Sequence, residues 1–364
     1  MKRCKKCLLP ENYPGITFNE EGICNYCESY KKKKYKGKEE LDRFLEPFRN
    51  KHEKYDCVVG VSGGRDSSYM LYYLVKKCNL RVLAYTADHG FVTEVAKTNM
   101  KKMADILGVE LVIEEHDFLK KTVKLNLSAW LRKPSPAMIP MLCCGCRLGI
   151  NRGLLKCAKK NKVPLVVTGG SPIEPSYFKT ALLTSNPLSR YISRIKSLSL
   201  LFGLLYEIIK NPRYFLNPYN AIVNLKEYFY FFHLERVRRL LYPNQTILNF
   251  YHYIEWDEAT ILSTIKNELN WRKEADSPTT WRADCSLNFL RNYLFRECIG
   301  VTEKDNILSN MIRENKLTRE EAMERQRTEN TIPQRFIMDA FNEIGLSPSD
   351  FFAALKRYKE KRKV

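Results

Sequence analysis

Apolar and polar positions change rhythm along this chain. Between residues 51 and 175, short apolar runs alternate with longer segments of helical spacing. "DCVVGV", "LRVLAYTAD", "VELVIEEH" and "PLVVTGG" read as strands, and "SSYMLYYLVKKC", "EVAKTNMKKMADILG" and "RLGINRGLLKCAKKN" as the helices between them. Such alternation predicts an α/β fold with a doubly wound parallel sheet and helices on both faces. Ligands in sheets of this kind bind beyond the carboxyl ends of the strands. Those ends carry Ser62-Gly63-Gly64, Asp88-His89 and Gly169-Gly170, so three loops are expected on one edge.

The rhythm differs on either side. Residues 1–50 hold two cysteine pairs and a basic stretch, "YKKKKYKGK", that reads as a solvated linker. Residues 176–250 are aromatic, basic and poor in acid. They predict two or three helices inserted after the last clear strand, as a helical subdomain, a dimer face, a lid, or a patch resting on an anionic membrane. Residues 251–364 are helical again. "LTREEAMER" offers Thr318 as an N-cap with Glu321 three residues on, a capping box. The terminal "LKRYKEKRKV" reads as a fraying basic helix end.

Composition narrows the class. Hydrophobic residues make up 44% of the 364, which suits a globular protein with a sizeable core. No apolar run approaches the ~18 residues needed to span a bilayer, and "MKRCKKCLLP" lacks an apolar signal region, so a cytoplasmic location is expected. Twelve cysteines then suggest metal, redox chemistry or buried thiols more than disulfides. Cys4-x-x-Cys7 and Cys24-x-x-Cys27 suit a closed tetrahedral zinc site, making the first segment a zinc-ribbon-like module. The formal charge of +20 favours anionic partners without choosing among nucleic acid, nucleotides, anionic sugars and membrane.

The stretch "VSGGRDSS" joins a buried strand to a helix. Glycines there let backbone N–H groups close on a phosphate without a Cβ clash, and the helix N-terminus adds its dipole. No lysine follows the glycines and G-x-G-x-x-G is absent, so neither a Walker loop nor a dinucleotide fingerprint is present. Ser62-Gly63-Gly64-Arg65-Asp66-Ser67 resembles the S-G-G-x-D-S pyrophosphate loop of the PP-loop ATP pyrophosphatase superfamily, a HUP-like fold. The resemblance implies ATP bound by Ser62, Gly63, Gly64, Arg65, Asp66, Ser67 and Gly169, with Ala87 and Asp88 near adenine. It also implies that Asp66 holds the loop or a Mg²⁺ ion. His89 stands as a candidate general base.

A longer resemblance, to the N-acetyl sugar amidotransferases of bacterial surface-polysaccharide pathways, rests on several blocks. They are the two cysteine pairs with "PGITFNEEGIC", "VSGGRDSSYM", Cys143-Cys144-Gly145-Cys146, "NFYHYIEWDE" and "LTREEAMER". It implies that ATP activates an acetamido group on an anionic or nucleotide-linked sugar, releasing PPi, and that ammonia displaces AMP to give an acetamidino group. Ammonia would come from glutaminase and synthase-like subunits. Arg65 or Arg147 could steady the transferring phosphoryl group. The block "WRADC", with Cys285, departs from that pattern. Cys143, Cys146 and Cys285 could instead hold a [4Fe–4S] cluster or carry a persulfide, as in sulfur-inserting PP-loop enzymes that modify tRNA. The substrate would then be tRNA or a small molecule, with nucleic acid a possible partner. Cys57, Cys78, Cys144, Cys157 and Cys298 read as core residues.

Overall fold

The computed structural model describes residues 2–175, 177–187, 189, 196–226 and 240–361. Five parallel strands form one sheet in the order β3-β2-β1-β4-β5: β1 Cys57–Gly60, β2 Val82–Asp88, β3 Glu110–Glu115, β4 Leu165–Thr168 and β5 Thr246–Asn249. Registry runs from Cys57 opposite Val82 on one side of β1 to Cys57 opposite Leu165 on the other. The chain winds outward from β1 through β2 to β3, then returns to β1's other flank. The order therefore reverses between β1 and β4, the position where open α/β sheets open a crevice. The expected fold class is what the chain adopts.

Alternation along the strands divides the core. Cys57, Val59, Ala84, Leu165, Val167 and Leu248 face one side and pack with Met70, Leu71 and Met100. Val58, Leu83, Tyr85 and Val166 face the other and pack with Leu148, Leu154 and Leu155 of helix Cys144–Lys160. A third cluster joins the first segment (Cys4, Leu9, Tyr13) to helices Asp117–Arg132, Ser286–Ile299, Gln334–Ile344 and Pro348–Glu360. The two ends of the chain thus share one core.

Three features depart from the sequence pattern. Helix Asp117–Arg132 occupies a stretch to which the pattern assigned nothing. β5 pairs with β4 from Leu165–Thr246 to Thr168–Asn249, so the α/β unit resumes at 246, inside the segment expected to be insertion up to 250. The basic linker is pinned: Lys36 and Gly37 N–H donate to the carbonyls of His252 and Tyr253, and Lys33 N–H donates to Glu314 at 3.0 Å.

The insertion holds helices Tyr177–Thr184, Lys196–Lys210 and Arg213–Leu216 and a further helical stretch over 218–226. It docks on helix Asp117–Arg132 through a buried amide cluster. Asn220 and Asn224 donate to Asn126 Oδ1 at 2.8 and 3.1 Å, and Asn211 donates to the Ala129 carbonyl at 2.8 Å. The rest of the expected insertion helices, 190–195 and 227–239, and the chain end at 362–364 lie outside the described residues. At Thr318 and Glu321 both halves of the capping box are formed.

Candidate active site at the carboxyl edge of the sheet

β1 ends at Gly60, and the chain turns through Ser62, Gly63 and Gly64 into helix Arg65–Tyr72. The loop is tied internally: Ser62 N–H donates to Ser67 Oγ at 3.1 Å, and Ser67 and Ser68 hydroxyls donate to the Gly64 carbonyl at 3.2 and 2.8 Å. Gly63 has φ 74, and a Cβ there would stand 2.2 Å from the Ala96 carbonyl oxygen. Only glycine satisfies both demands. Its carbonyl is held from the far side by Trp271 Nε1 at 2.9 Å.

Asp66 locks the loop from within. Its Oδ1 accepts from Trp256 Nε1 at 3.0 Å and Arg65 Nε at 3.2 Å, and its carbonyl accepts from Tyr251 at 2.9 Å. Burial raises the Asp66 carboxyl above the usual carboxylate range. This arrangement accounts for an aspartate at the second helical position, where an anion also meets the positive end of the dipole.

Arg65 departs from the expectation. Its guanidinium is buried, 3.8 Å from the Trp281 ring centroid and 5.2 Å from that of Trp256, and donates to Thr280 at 2.7 Å and to Glu258. Two indole faces and a carboxylate hold the cation in the protein interior, so its side chain braces the loop from behind. Burial pushes Glu258 up, but Arg65 and Arg325 hold it down to about 2. His89 is also corrected. Burial lowers it to about 4, and its Nδ1 accepts from Phe91 N–H at 3.2 Å, leaving a weak base at neutral pH. Arg147 wraps the preceding turn, donating to the Pro140 carbonyl and to Cys144 Sγ.

The other expected residues sit on the same edge. Asp88 closes β2, accepts from Gly90 N–H at 2.7 Å and pairs with Lys97 at 3.4 Å, and Ala87 before it is buried. Gly169 follows β4, where a Cβ would stand 2.7 Å from Met70 Sδ.

The segment Thr280–Cys285 folds over the loop. The Asp284 carboxylate faces Ser62 and lies 3.0 Å from where a Gly64 Cβ would stand. Thr93 N–H donates to the Asp284 carbonyl at 3.0 Å, Ser286 N–H to the Phe91 carbonyl at 2.9 Å, and Cys285 bridges Val92. Arg282 sits at φ 46, a left-handed conformation costing a non-glycine residue about 1–2 kcal/mol, and pairs with Glu174 at 2.7 Å. Strain of this kind collects at functional sites.

The structure also brings the cysteine trio to this edge. Helix Cys144–Lys160 runs antiparallel to the strands, so its first turn, with Cys143 as N-cap and Cys146 inside, lies at their carboxyl ends. Burial raises the Cys146 thiol well above its ordinary range, and the neighbouring Cys143 and Cys285 raise it further. Burial raises Cys285 to about 12, with Cys143 adding to it. The three sulfurs do not form a single-ion cage. Arg291 donates to Cys143 Sγ at 3.0 Å, and to Glu303 at 2.5 Å. Glu303 also takes a bond from Lys179.

The one cage among the described residues is the expected one. Cys4, Cys7, Cys24 and Cys27 place their sulfurs within 4.8 Å of one another. Zinc–sulfur bonds of ~2.3 Å give tetrahedron edges of about 3.8 Å. Cys7–Cys24 at 3.8 Å and Cys4–Cys27 at 3.9 Å agree. Arg313 donates to Cys27 and Cys7 at 3.3 Å each, offsetting the charge of four thiolates.

Asp284, Arg291, Glu303 and Arg313 were not legible as site residues. "TEKDNILSNMIREN" looks like a solvated helix, yet helix Glu303–Arg313 is buried nearly throughout. Its polar residues each serve another element. Asn306 accepts from Tyr13, Ser309 from Leu8 N–H, and Asn310 donates to the Ile173 carbonyl.

Residues 284–363 match the family model described as LPS biosynthesis protein WbpG-like, C-terminal domain. The match starts at Asp284, on the segment covering the loop. No curated protein matches the chain. Among solved structures it is similar to the U34-tRNA thiolase NcsA from Methanococcus maripaludis with its [4Fe-4S] cluster, at 14% identity over 86% of each chain and a TM-score of 0.34.

Proposed function

We propose that the chain is an ATP-dependent, AMP-forming enzyme that activates an amide or carbonyl oxygen on an anionic sugar in surface-polysaccharide synthesis. Ammonia delivered by partner subunits then displaces AMP. The single observation behind the activation step is the loop from Ser62 to Ser67. It sits at the switch point between β1 and β4, with Gly63 pressed on Ala96 and its hydroxyls tied inward. The WbpG-like match supports the pathway.

The residues divide the work as follows. Backbone N–H groups at Gly63 and Gly64 and the helix N-terminus receive the departing pyrophosphate. Asp66 keeps the loop in shape. Glu174 raises the carboxyls of both Asp66 and Asp284 electrostatically. Three carboxyl groups at an anion pocket suit a phosphate that arrives with Mg²⁺, which would supply charge neutralisation. Cys4, Cys7, Cys24 and Cys27 fit a structural zinc.

A second reading keeps the activation step and replaces ammonia with sulfur. Its support is the convergence of Cys143, Cys146 and Cys285 beside the loop. Those three residues are the ones that would hold an iron–sulfur cluster, whose open iron would supply the sulfur chemistry. Conversion of ATP to AMP and PPi, abolished by Asp66→Ala, tests the shared step; unaltered release in that variant sinks both readings. Anaerobic purification separates them. Colourless protein carrying zinc alone supports ammonia, and brown protein whose iron is lost on Cys146→Ser supports sulfur.

A further inference from the structure

Nine of the twelve large apolar side chains exposed among the described residues lie between 177 and 241, so exposure is concentrated on the insertion. Ile209, Leu216 and Leu240 are 76%, 70% and 82% exposed, more than any other large apolar side chain described. On helix Lys196–Lys210 the outward residues are spaced as a stripe. Leu198, Leu205 and Ile209 are exposed, Phe202 between them is half-buried, and Leu200 and Leu204 point inward. Steps of four, three and four residues hold one helix face. The helix therefore has a second apolar face beyond the one that packs on the protein.

The sequence of this segment is predominantly basic. Between 176 and 250 the sequence holds ten lysines and arginines against three glutamates. Over the described residues 177–226 the one carboxylate is Glu207, and it is buried. Lys210, Arg213 and Lys226 are exposed beside the apolar positions. Fifteen residues of helix reach about 22 Å, short of the ~30 Å hydrocarbon core. No helix among the described residues is long and apolar enough to cross a membrane.

An apolar helix face bordered by cations and, among the described residues of the insertion, free of exposed acid fits a surface that is greasy below and negative above. We propose that the insertion docks the enzyme on an anionic phospholipid bilayer, with Leu198, Leu205, Ile209 and Leu216 entering the interface and the lysines and arginines meeting headgroup phosphates. A protein partner would need its own apolar patch with acidic margins. A second copy would bring the same cations face to face. The bilayer meets both requirements without a matching surface, which is why it is chosen here.

The test is sedimentation of the full-length protein with phosphatidylcholine vesicles, with and without phosphatidylglycerol. Expected are at least tenfold stronger binding to the anionic vesicles, a steep decline with added salt, and loss of about tenfold or more in Ile209→Glu/Leu216→Glu. Conversion of ATP should persist in that variant, and Ile106→Glu, an exposed apolar position on another element, should bind as the parent does. Three results would overturn the proposal: no binding to anionic vesicles, binding indifferent to headgroup charge, or a parent that self-associates through this face and is made monomeric by the double substitution.

Discussion

Glu303 and Arg313 stand at opposite ends of one buried helix, the first bonded to Arg291 beside Cys143 and the second donating to the sulfurs of Cys7 and Cys27. Eleven residues, about 16 Å of helix, connect the zinc-type cage to the edge where the phosphate loop opens. Each end is an ion pair taken out of water. Such pairs are weak evidence for stability, but breaking one side leaves an uncompensated charge.

That asymmetry gives the first prediction. Arg291→Met leaves Glu303 buried with Lys179 and Asn292 as its remaining partners, and loss of the Arg291 bond should destabilise the protein by about 1.5–3 kcal/mol in urea unfolding. Because Arg291 and Glu303 bond each other directly, Arg291→Met and Glu303→Gln together should cost less than the sum of the two single losses. Full additivity would show that the two side chains act separately.

Removal of metal should reach the far end of this helix. With Cys24→Ser, or with a chelator, we expect loss of bound zinc. Amide protection should fall over 303–313 as well as over 4–27, since Arg313 then loses the charge it faces. Hydrogen exchange reads both segments at once. Unchanged protection in the helix would mean that it holds itself in place without the cage.

Gly63→Ala should collapse the first half-reaction. A methyl group 2.2 Å from the Ala96 carbonyl cannot be accommodated without moving the loop or the first turn of helix Glu94–Leu107. The rate of AMP and PPi formation should fall at least a hundredfold, about 2.7 kcal/mol in the barrier. A rate within threefold of the parent would show that the loop does not set the phosphate position.

His89 gives a pH signature. Burial holds its folded pKa near 4, against 6.5 when exposed, so the unfolded chain takes the proton first as pH falls. Stability is intact above about 6.5 and is lost progressively between 6.5 and 4, by at most about 3 kcal/mol. His89→Asn keeps an acceptor for Phe91 N–H and should flatten that part of the profile relative to the parent. Parallel profiles would place the titration elsewhere.

The fold was legible because parallel strands buried on both faces print continuous apolar runs, as in Cys57-Val58-Val59 and Leu165-Val166-Val167. The loop was legible because its glycines and serines answer a steric and electrostatic demand that few other residues meet. β5 was missed because Thr246–Asn249 holds only two apolar residues between a threonine and an asparagine, where β1 and β4 each hold a run of three. Helix Glu303–Arg313 was legible as a helix but its burial was not, for a physical reason. A polar sequence ordinarily marks solvent, and only the tertiary structure shows each polar group meeting a partner. Arg65 was misjudged likewise: sequence places it in the loop, and Trp256 and Trp281, some two hundred residues on, decide where its side chain goes.

β5 also shapes how the molecule assembles. It hydrogen-bonds β4, yet residues 169–245 separate the two, and one bond, Thr168 to the Leu248 carbonyl, spans eighty residues. Closing so long a segment costs chain entropy before any ladder bond repays it, so local pairs form first and this strand docks late. Until it does, β4 presents an unpaired edge to other chains in a crowded cell. Crowding of nascent chains, rather than instability of the finished protein, is therefore the hazard that a long insertion at this position creates.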